Sequence, residues 1–197
     1  MRRATLTGLV VITAVAMLDT SPAKAQATWG PSAWIGSTGG QGPGDLACPA
    51  GKYAIGIQVR AGIYIHEILL ECARLGANGE HQEPVMVRTT NFKVQYRGDA
   101  PTLQRRCSSG RVMVGVQGRS AEWIDAIRVG CKAWSRAGGG TQGTTSWSTS
   151  AGGTGGNPYG PLSCPGQYGI YKVQFWGRDH IMFRDLVHGF AFWCKAA

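Results

Sequence analysis

The sequence predicts an all-β protein with pseudo-threefold symmetry, and three observations carry that prediction. First, six cysteines fall into pairs: Cys48 and Cys72 are 24 residues apart, Cys107 and Cys131 are 24 apart, and Cys164 and Cys194 are 30 apart. Second, the first members recur after 59 and 57 residues and the second members after 59 and 63, the mark of one unit of about 59 residues present three times. Third, apolar residues alternate with small or polar ones inside the units, the period of a strand with one buried face.

The chain opens with Arg2 and Arg3, an apolar stretch from Leu6 to Leu18, and Ala23-Lys24-Ala25. A basic start, a short apolar run and a small-x-small site make residues 1–25 a secretory signal. Its loss removes Arg2, Arg3, Lys24 and Asp19 and lowers the net charge from +9 to +7. No other stretch approaches the roughly 20 apolar residues of a membrane span, so no transmembrane segment is expected. Residues 26–197 form a single domain, secreted or periplasmic, with repeats at about 29–75, 83–134 and 145–197. In an oxidising compartment an even cysteine count is a disulfide framework. Six cysteines allow fifteen connectivities, and the repeat selects Cys48 with Cys72, Cys107 with Cys131, and Cys164 with Cys194.

In the first repeat, Cys48-Pro-Ala-Gly51 opens onto Ile55, Ile57 and Val59 alternating with Gly56, Gln58 and Arg60. A turn at Ala61-Gly62 leads to a second run through Ile63, Ile65, Ile68 and Leu70, so the pair reads as a β-hairpin. The second repeat matches without a gap: Cys107-Ser-Ser-Gly110, then Val112, Val114 and Val116, a turn at Ser120-Ala121, and a run from Trp123 to Val129. Residues 137–145, rich in glycine and threonine, read as a flexible surface connection. Aromatic residues concentrate in the third repeat, from Tyr159 to Trp193, and it has extra residues between Arg178 and Cys194. Arg60, Arg119 and Arg178 stand 59 residues apart. Equal spacing points to one structural need, such as a guanidinium capping strand carbonyls, or to a threefold basic patch for an anionic ligand.

The run Gly115-Val-Gln-Gly-Arg-Ser-Ala-Glu-Trp-Ile-Asp-Ala-Ile-Arg-Val129, and more loosely Gly56 to Leu70, resembles the hairpin of jacalin-type lectins, in which a strand ending in Arg-Ser-Gly turns into Ile-Asp-x-Ile. Gly39-Gly40-Gln-Gly42 and Gly152-Gly153-Thr-Gly155-Gly156-Asn-Pro-Tyr159 resemble that family's glycine-rich loop. The cysteine-bounded unit, opening on Cys-Pro-x-Gly, is similar to the repeat of the vitelline membrane outer layer protein. Both resemblances imply a β-prism, three four-stranded Greek-key sheets around a threefold axis, to which the cysteine spacing adds one disulfide per repeat. The first implies carbohydrate binding; the second implies a disulfide-stabilised structural envelope or matrix protein. The chain departs from both, because no glycine has an aspartate four residues later and no Asp-Asp-Thr-Ala-Leu-Asn segment occurs.

The expected ligand is a glycan or glycoconjugate, with an anionic surface as a further partner favoured by the basic charge. Glycine lets backbone N–H groups approach a ligand closely, which selects Gly39 and Gly40 with Asp45, and Gly152, Gly153, Gly155 and Gly156 with Tyr159. Trp176 and Asp179 join them, because they stand where the third repeat departs from its siblings. Trp123 with Glu122 and Asp125 is a weaker candidate. The sequence predicts no enzyme, cofactor or metal site: His66, His81, His180 and His188 are dispersed, no nucleophile motif occurs, and the cysteines are committed to bridges. Asp179 and Asp185 read as solvated acids, and Arg97-Gly98-Asp99 as a chance match to an integrin tripeptide. Mass spectrometry of the exported protein is expected to find a chain starting at Gln26; retention of residues 1–25 would overturn the secretory assignment.

Overall fold

The computed structural model describes residues 27–37, 41–88, 99–178 and 186–196, which form strands, turns and loops without a helix. The described residues open with two short strands, β1 (Thr28–Trp29) and β2 (Ile35–Gly36), and then β3 (Gln41–Ala47). A long hairpin follows, β4 (Lys52–Ala61) and β5 (Ile65–Leu75), with β6 (His81–Val87) beside it. After β7 (Thr102–Arg106) comes the second hairpin, β8 (Arg111–Ser120) and β9 (Ile124–Ser135), with β10 (Gly140–Trp147) and β11 (Ala151–Gly152). The last part supplies β12 (Asn157–Ser163) and the third hairpin, β13 (Gly169–Arg178) and β14 (Leu186–Lys195).

These strands make three antiparallel sheets. Their orders are β6-β5-β4-β7, β10-β9-β8-β12 with β11 also on β9, and β1-β14-β13-β3 with β2 also on β14. In the first two, three consecutive strands are joined by a fourth that returns beside the first, which is a Greek key. The third is closed by both ends of the chain, with Thr28 opposite Lys195 and Trp29 opposite Cys194. The innermost strands β4, β8 and β13 touch pairwise around the pseudo-threefold axis. The molecule is a β-prism.

The strands lie where the alternation predicts them because each has one face to bury. Ile55, Ile57 and Val59 of β4 point inward, as do Val112, Val114 and Val116 of β8. In the third sheet the inward positions carry Ile170, Val173 and Phe175, met by Phe190 and Phe192 from β14. Each such side chain contributes roughly 1.5–3 kcal/mol on full burial. A second apolar cluster, Tyr53, Ile55, Ala73, Leu75, Val112, Val114 and Trp134, lies where the long hairpins open, at the end away from their turns.

A sheet and a sequence repeat are different units. The strand before each leading cysteine belongs to the preceding sheet: β3 pairs with β13, β7 with β4, and β12 with β8. The cysteine then ends that pairing with one backbone bond, Cys48 N to Tyr171 O at 2.7 Å, Cys107 N to Ile55 O at 2.8 Å, and Cys164 N to Val114 O at 2.7 Å. Its disulfide partner lies on β5, β9 or β14 of the next sheet, in the pairs Cys48–Cys72, Cys107–Cys131 and Cys164–Cys194. Each bridge predicted within a repeat therefore crosses a corner of the prism.

Three local expectations are corrected. Ile63 is a turn residue, 65 % exposed, because the register shift at Arg60/Ala61 ends the pairing before it. The stretch expected as a flexible connection is a tight turn, closed by Gly139 N to Arg136 O at 3.1 Å, followed by the edge strand β10. Arg178 is out of phase with Arg60 and Arg119: the register shifts at Arg60/Ala61, Arg119/Ser120 and Trp176/Gly177 put Trp176 at their position. Replacing both Cys107 and Cys131 by serine is expected to lower unfolding stability by about 3 kcal/mol, read from urea denaturation. An unchanged midpoint would show that the corners hold without their bridges.

Candidate functional site

The hairpin turns gather two described turns and a loop at one end of the prism. These are the turn at 62–64, the turn at 121–123, and the loop Gly153–Gly156 between β11 and β12. Close backbone approach explains the glycines. A Cβ on Gly153 would lie 2.4 Å from the Ile63 carbonyl oxygen, and one on Gly156, whose φ is +62°, would lie 2.4 Å from Asp125 Oδ2. The loop starts from Gly153 N donating to Asp125 O at 2.8 Å.

Arginines hold the loop and the segment before it by their main-chain carbonyls. Arg119 Nε and Nη2 donate to Gly155 O and Gly156 O, both at 2.6 Å. Arg128 Nε donates to Ser148 O at 2.7 Å, while Arg105 donates to Thr149 O at 3.0 Å and Ser150 O at 2.5 Å. A trans peptide is planar with its N–H opposite its C=O, so the Gly155 carbonyl drawn toward Arg119 turns the Gly156 N–H away from it, while the Asn157 N–H is taken by Ser120, its partner on β8. Behind the loop, Asp125 Oδ2 is buried and accepts no hydrogen bond.

Asp125 is 4 % exposed, although a period-two reading of its strand gives no warning of this. Burial pushes its carboxyl above the usual range, against a backbone hydrogen bond from Ala121 and the charge of Arg119. An ionised oxygen without a partner is costly in such a place.

The predicted residues fall into separate groups. Gly152, Gly153, Gly155 and Gly156 share the loop on the β10-β9-β8-β12 sheet. Tyr159 is near them in sequence, but its ring packs on the core, edge-on to Phe190 at 6.2 Å, and its hydroxyl donates to Ala126 O at 3.1 Å. Burial raises its phenol far above the ordinary value. Asp45 and Trp176 lie together on the outer face of the β1-β14-β13-β3 sheet. Asp45 accepts from Gln174 Nε2 at 2.8 Å and pairs with Lys172 at 3.3 Å, and Trp176 meets Trp34 edge-on at 3.9 Å. Gly39, Gly40, Asp179, His180 and Asp185 lie outside the described residues.

Pseudo-symmetry relates the two glycine segments. Both β2 and β11 pair with the closing strand of their sheet, and Ser37 N donates to His188 O at 3.0 Å as Gly153 N does to Asp125 O. Ile35-Gly36-Ser37-Thr38-Gly39-Gly40-Gln41 thereby aligns with Ala151-Gly152-Gly153-Thr154-Gly155-Gly156-Asn157. His66, Asp125 and His188 each precede the second cysteine of their repeat by six residues and are all buried. Ile63 enters the site without a sequence signal, because it arrives from another sheet. His81 Nε2 lies 2.7 Å from Arg111 O, and Trp123 packs on His188 at 3.9 Å. Among the described residues no three of His, Cys, Asp and Glu gather to hold a metal ion.

Neither a protein-family model nor a curated protein sequence matches the chain. Solved structures do. Artocarpin complexed with Me-alpha-mannose is 12 % identical with a TM-score of 0.54, covering 88 % of this chain and 99 % of its own. The Malaysian banana lectin is 11 % identical with a TM-score of 0.53, covering 88 % and 100 %. The mannose-binding lectin from champedak is 14 % identical with a TM-score of 0.52, covering 89 % and 99 %. The fold is thus the jacalin-type β-prism, over nearly the whole of those chains.

The raised Asp125 pKa has a defined sign. Its ionised form is disfavoured in the fold, so stability is greatest below the ordinary carboxylate pKa and falls as pH rises through the raised folded value. Asp125→Asn is expected to unfold at higher temperature than the unsubstituted protein at pH 7 and at the same temperature near pH 3, by calorimetry. A variant less stable at pH 7 would show that the carboxylate charge is needed.

Proposed function

We propose that the chain is a secreted, non-catalytic carbohydrate-binding protein whose sugar site is the loop Gly153–Gly156 at the turn end of the prism. The observation that carries this reading is the loop's main chain, fixed by Arg119 through the Gly155 and Gly156 carbonyls, with the Gly156 N–H turned away from that arginine. Donors fixed before binding lose little entropy when a sugar hydroxyl or ring oxygen meets them. Exposed Thr154 adds a hydroxyl on the loop, and Glu122 in the neighbouring turn adds an exposed carboxylate. Ile63 offers an apolar surface beside Gly153 for the sugar's C–H face.

The lectins that share the fold support a glycan as the ligand class, two of them through mannose. Fold alone does not give function, and the Gly-x-x-x-Asp loop is missing here, so the reading rests on the loop's own geometry. The non-catalytic part is supported by the engagement of the acids: Glu67, Glu71, Glu83 and Asp45 lie in ion pairs with Arg or Lys. Secretion is supported by the three disulfides and by the leader-like residues 1–25; no helix among the described residues is long and apolar enough to cross a membrane.

Asp45 and Trp176 would form a separate contact on their own sheet face, and Tyr159 would act by anchoring the start of β12. A glycan array is the decisive measurement. On a bound glycan, Glu122→Gln is expected to weaken affinity about tenfold, the worth of a charged hydrogen bond, and Thr154→Trp to abolish binding by filling the loop's open side. Trp176→Ala is expected to leave it unchanged. Absence of binding to every glycan at high protein concentration would sink the proposal, and loss of binding in Trp176→Ala alone would move the site to the other sheet.

A further inference from the structure

The cationic groups of the three sheets are neutralised unequally. On the β6-β5-β4-β7 sheet, Lys52 and Arg74 reach Glu83, Arg60 and Arg88 reach Glu67, and Arg106 reaches Glu71, at 3.3 to 3.9 Å. On the β1-β14-β13-β3 sheet, Lys172 pairs with Asp45, and Lys195 Nζ lies 4.5 Å from the centre of the Tyr53 ring. On the β10-β9-β8-β12 sheet, Arg111, Arg119, Arg128 and Lys132 make no ion pair among the described residues. The acids of this sheet are Glu122 at the turn and the buried Asp125, and the chain carries no charged residue from 137 to 171.

The unpaired guanidinium groups converge on one segment. Arg111 Nη2 donates to Thr144 O at 3.3 Å and Cys131 O at 2.9 Å, Arg128 to Ser148 O at 2.7 Å, and Arg105, leaning across from β7, to Thr149 O at 3.0 Å. Between these contacts runs Thr144-Thr-Ser-Trp-Ser-Thr-Ser150, six hydroxyl side chains around one indole. Trp147 is half-buried, its ring edge 2.8 Å from where a Gly130 Cβ would stand, so the bare backbone of Gly130 seats it against the sheet. A guanidinium has five N–H donors; the carbonyls use one of them in Arg128, two in Arg111 and three in Arg105, which fixes each group while leaving donors to spare.

We infer that the outer face of this sheet, centred on Trp147 and edged by Arg105, Arg111 and Arg128, binds an acidic polysaccharide carrying carboxylate or sulfate groups. The inference rests on the glycan reading above and narrows its ligand class. Guanidinium groups match the geometry of both anions, the hydroxyls match a hydroxyl-rich chain, and the indole supplies one face for a sugar ring. Nucleic acid fits less well, since it is held by several stacking rings along a cationic groove and this face offers one ring.

The test uses the exported protein and four immobilised probes: polygalacturonate, dextran sulfate, neutral dextran, and a single-stranded oligodeoxynucleotide. Retention is expected on one or both acidic polysaccharides and not on dextran, the pair separating carboxylate from sulfate recognition. Raising sodium chloride from about 0.1 M to about 1 M shortens the Debye length from about 10 to about 3 Å and is expected to release the protein. Arg128→Gln and Arg111→Gln are each expected to weaken binding about two- to fivefold, the worth of an exposed charge pair, while Arg74→Gln on the β6-β5-β4-β7 sheet retains it. If a glutamine variant fails to fold, the salt response of the unsubstituted protein decides the matter. Equal retention on dextran, insensitivity to salt, or equal affinity for the oligonucleotide would overturn the inference. So would failure on both acidic polysaccharides alongside neutral-glycan binding on the array, which would leave the loop site standing; failure on every glycan would remove both.

Discussion

The structure depends on how the chain turns its three corners. At each one an edge strand finishes its pairing with a single cysteine N–H, and the same cysteine is bonded to the closing strand of the next sheet. A hairpin-based sheet of about ten-residue strands has one apolar face and two open edges, and it is unstable alone. Passing each fourth strand to the preceding sheet and locking the crossing covalently makes the three sheets one cooperative object. Their apolar faces then meet in a common core. Closure of the third sheet by both chain ends completes the ring, with Ala196 N bonded to Ala27 O at 2.9 Å.

On this symmetric frame the chemistry differs from sheet to sheet. The residue twelve places after the leading cysteine is Arg60, Arg119 or Trp176. Arg60 pairs with Glu67 at 3.3 Å, Arg119 grips the glycine loop, and Trp176 meets Trp34. Symmetry supplies equivalent places, and each substitution decides what a place can do. One sheet becomes charge-balanced, one aromatic and one cationic.

The two ends of the prism are also unlike. Where the hairpins open, Tyr53 and Trp134 meet at a tilt within the second apolar cluster, ring centres 4.8 Å apart, and Lys195 is buried between Tyr53 and Tyr171. Removal from water lowers the pKa of that lysine, and the ring faces partly offset the cost of its charge. At the turn end, Gly153 meets the backbone of Ile63 in the first turn, and Gly155 and Gly156 pack over the Asp125 carboxylate. Arg119 fixes that backbone through the Gly155 and Gly156 carbonyls.

The sequence by itself determined the strands and hairpins of the first two repeats, their buried faces and the three cysteine pairs, because alternation and repeat spacing are local properties of the chain. It also marked Gly152 to Gly156, since glycines so dense imply close backbone approach. Only the tertiary structure decided which sheet each strand joins: a period of two states which face is buried and is silent about the neighbour, so the handing of β3, β7 and β12 to the preceding sheet was invisible. The same limit hid the rest of the site. Asp125 reads as an outward residue until β11 and the loop close over it, Tyr159 reads as a free ring until its hydroxyl finds Ala126, and Arg178 reads as the third arginine until register shifts put Trp176 in its place. Ile63 and the orientation of the Gly156 peptide have no sequence signature, because they are set by neighbours far along the chain.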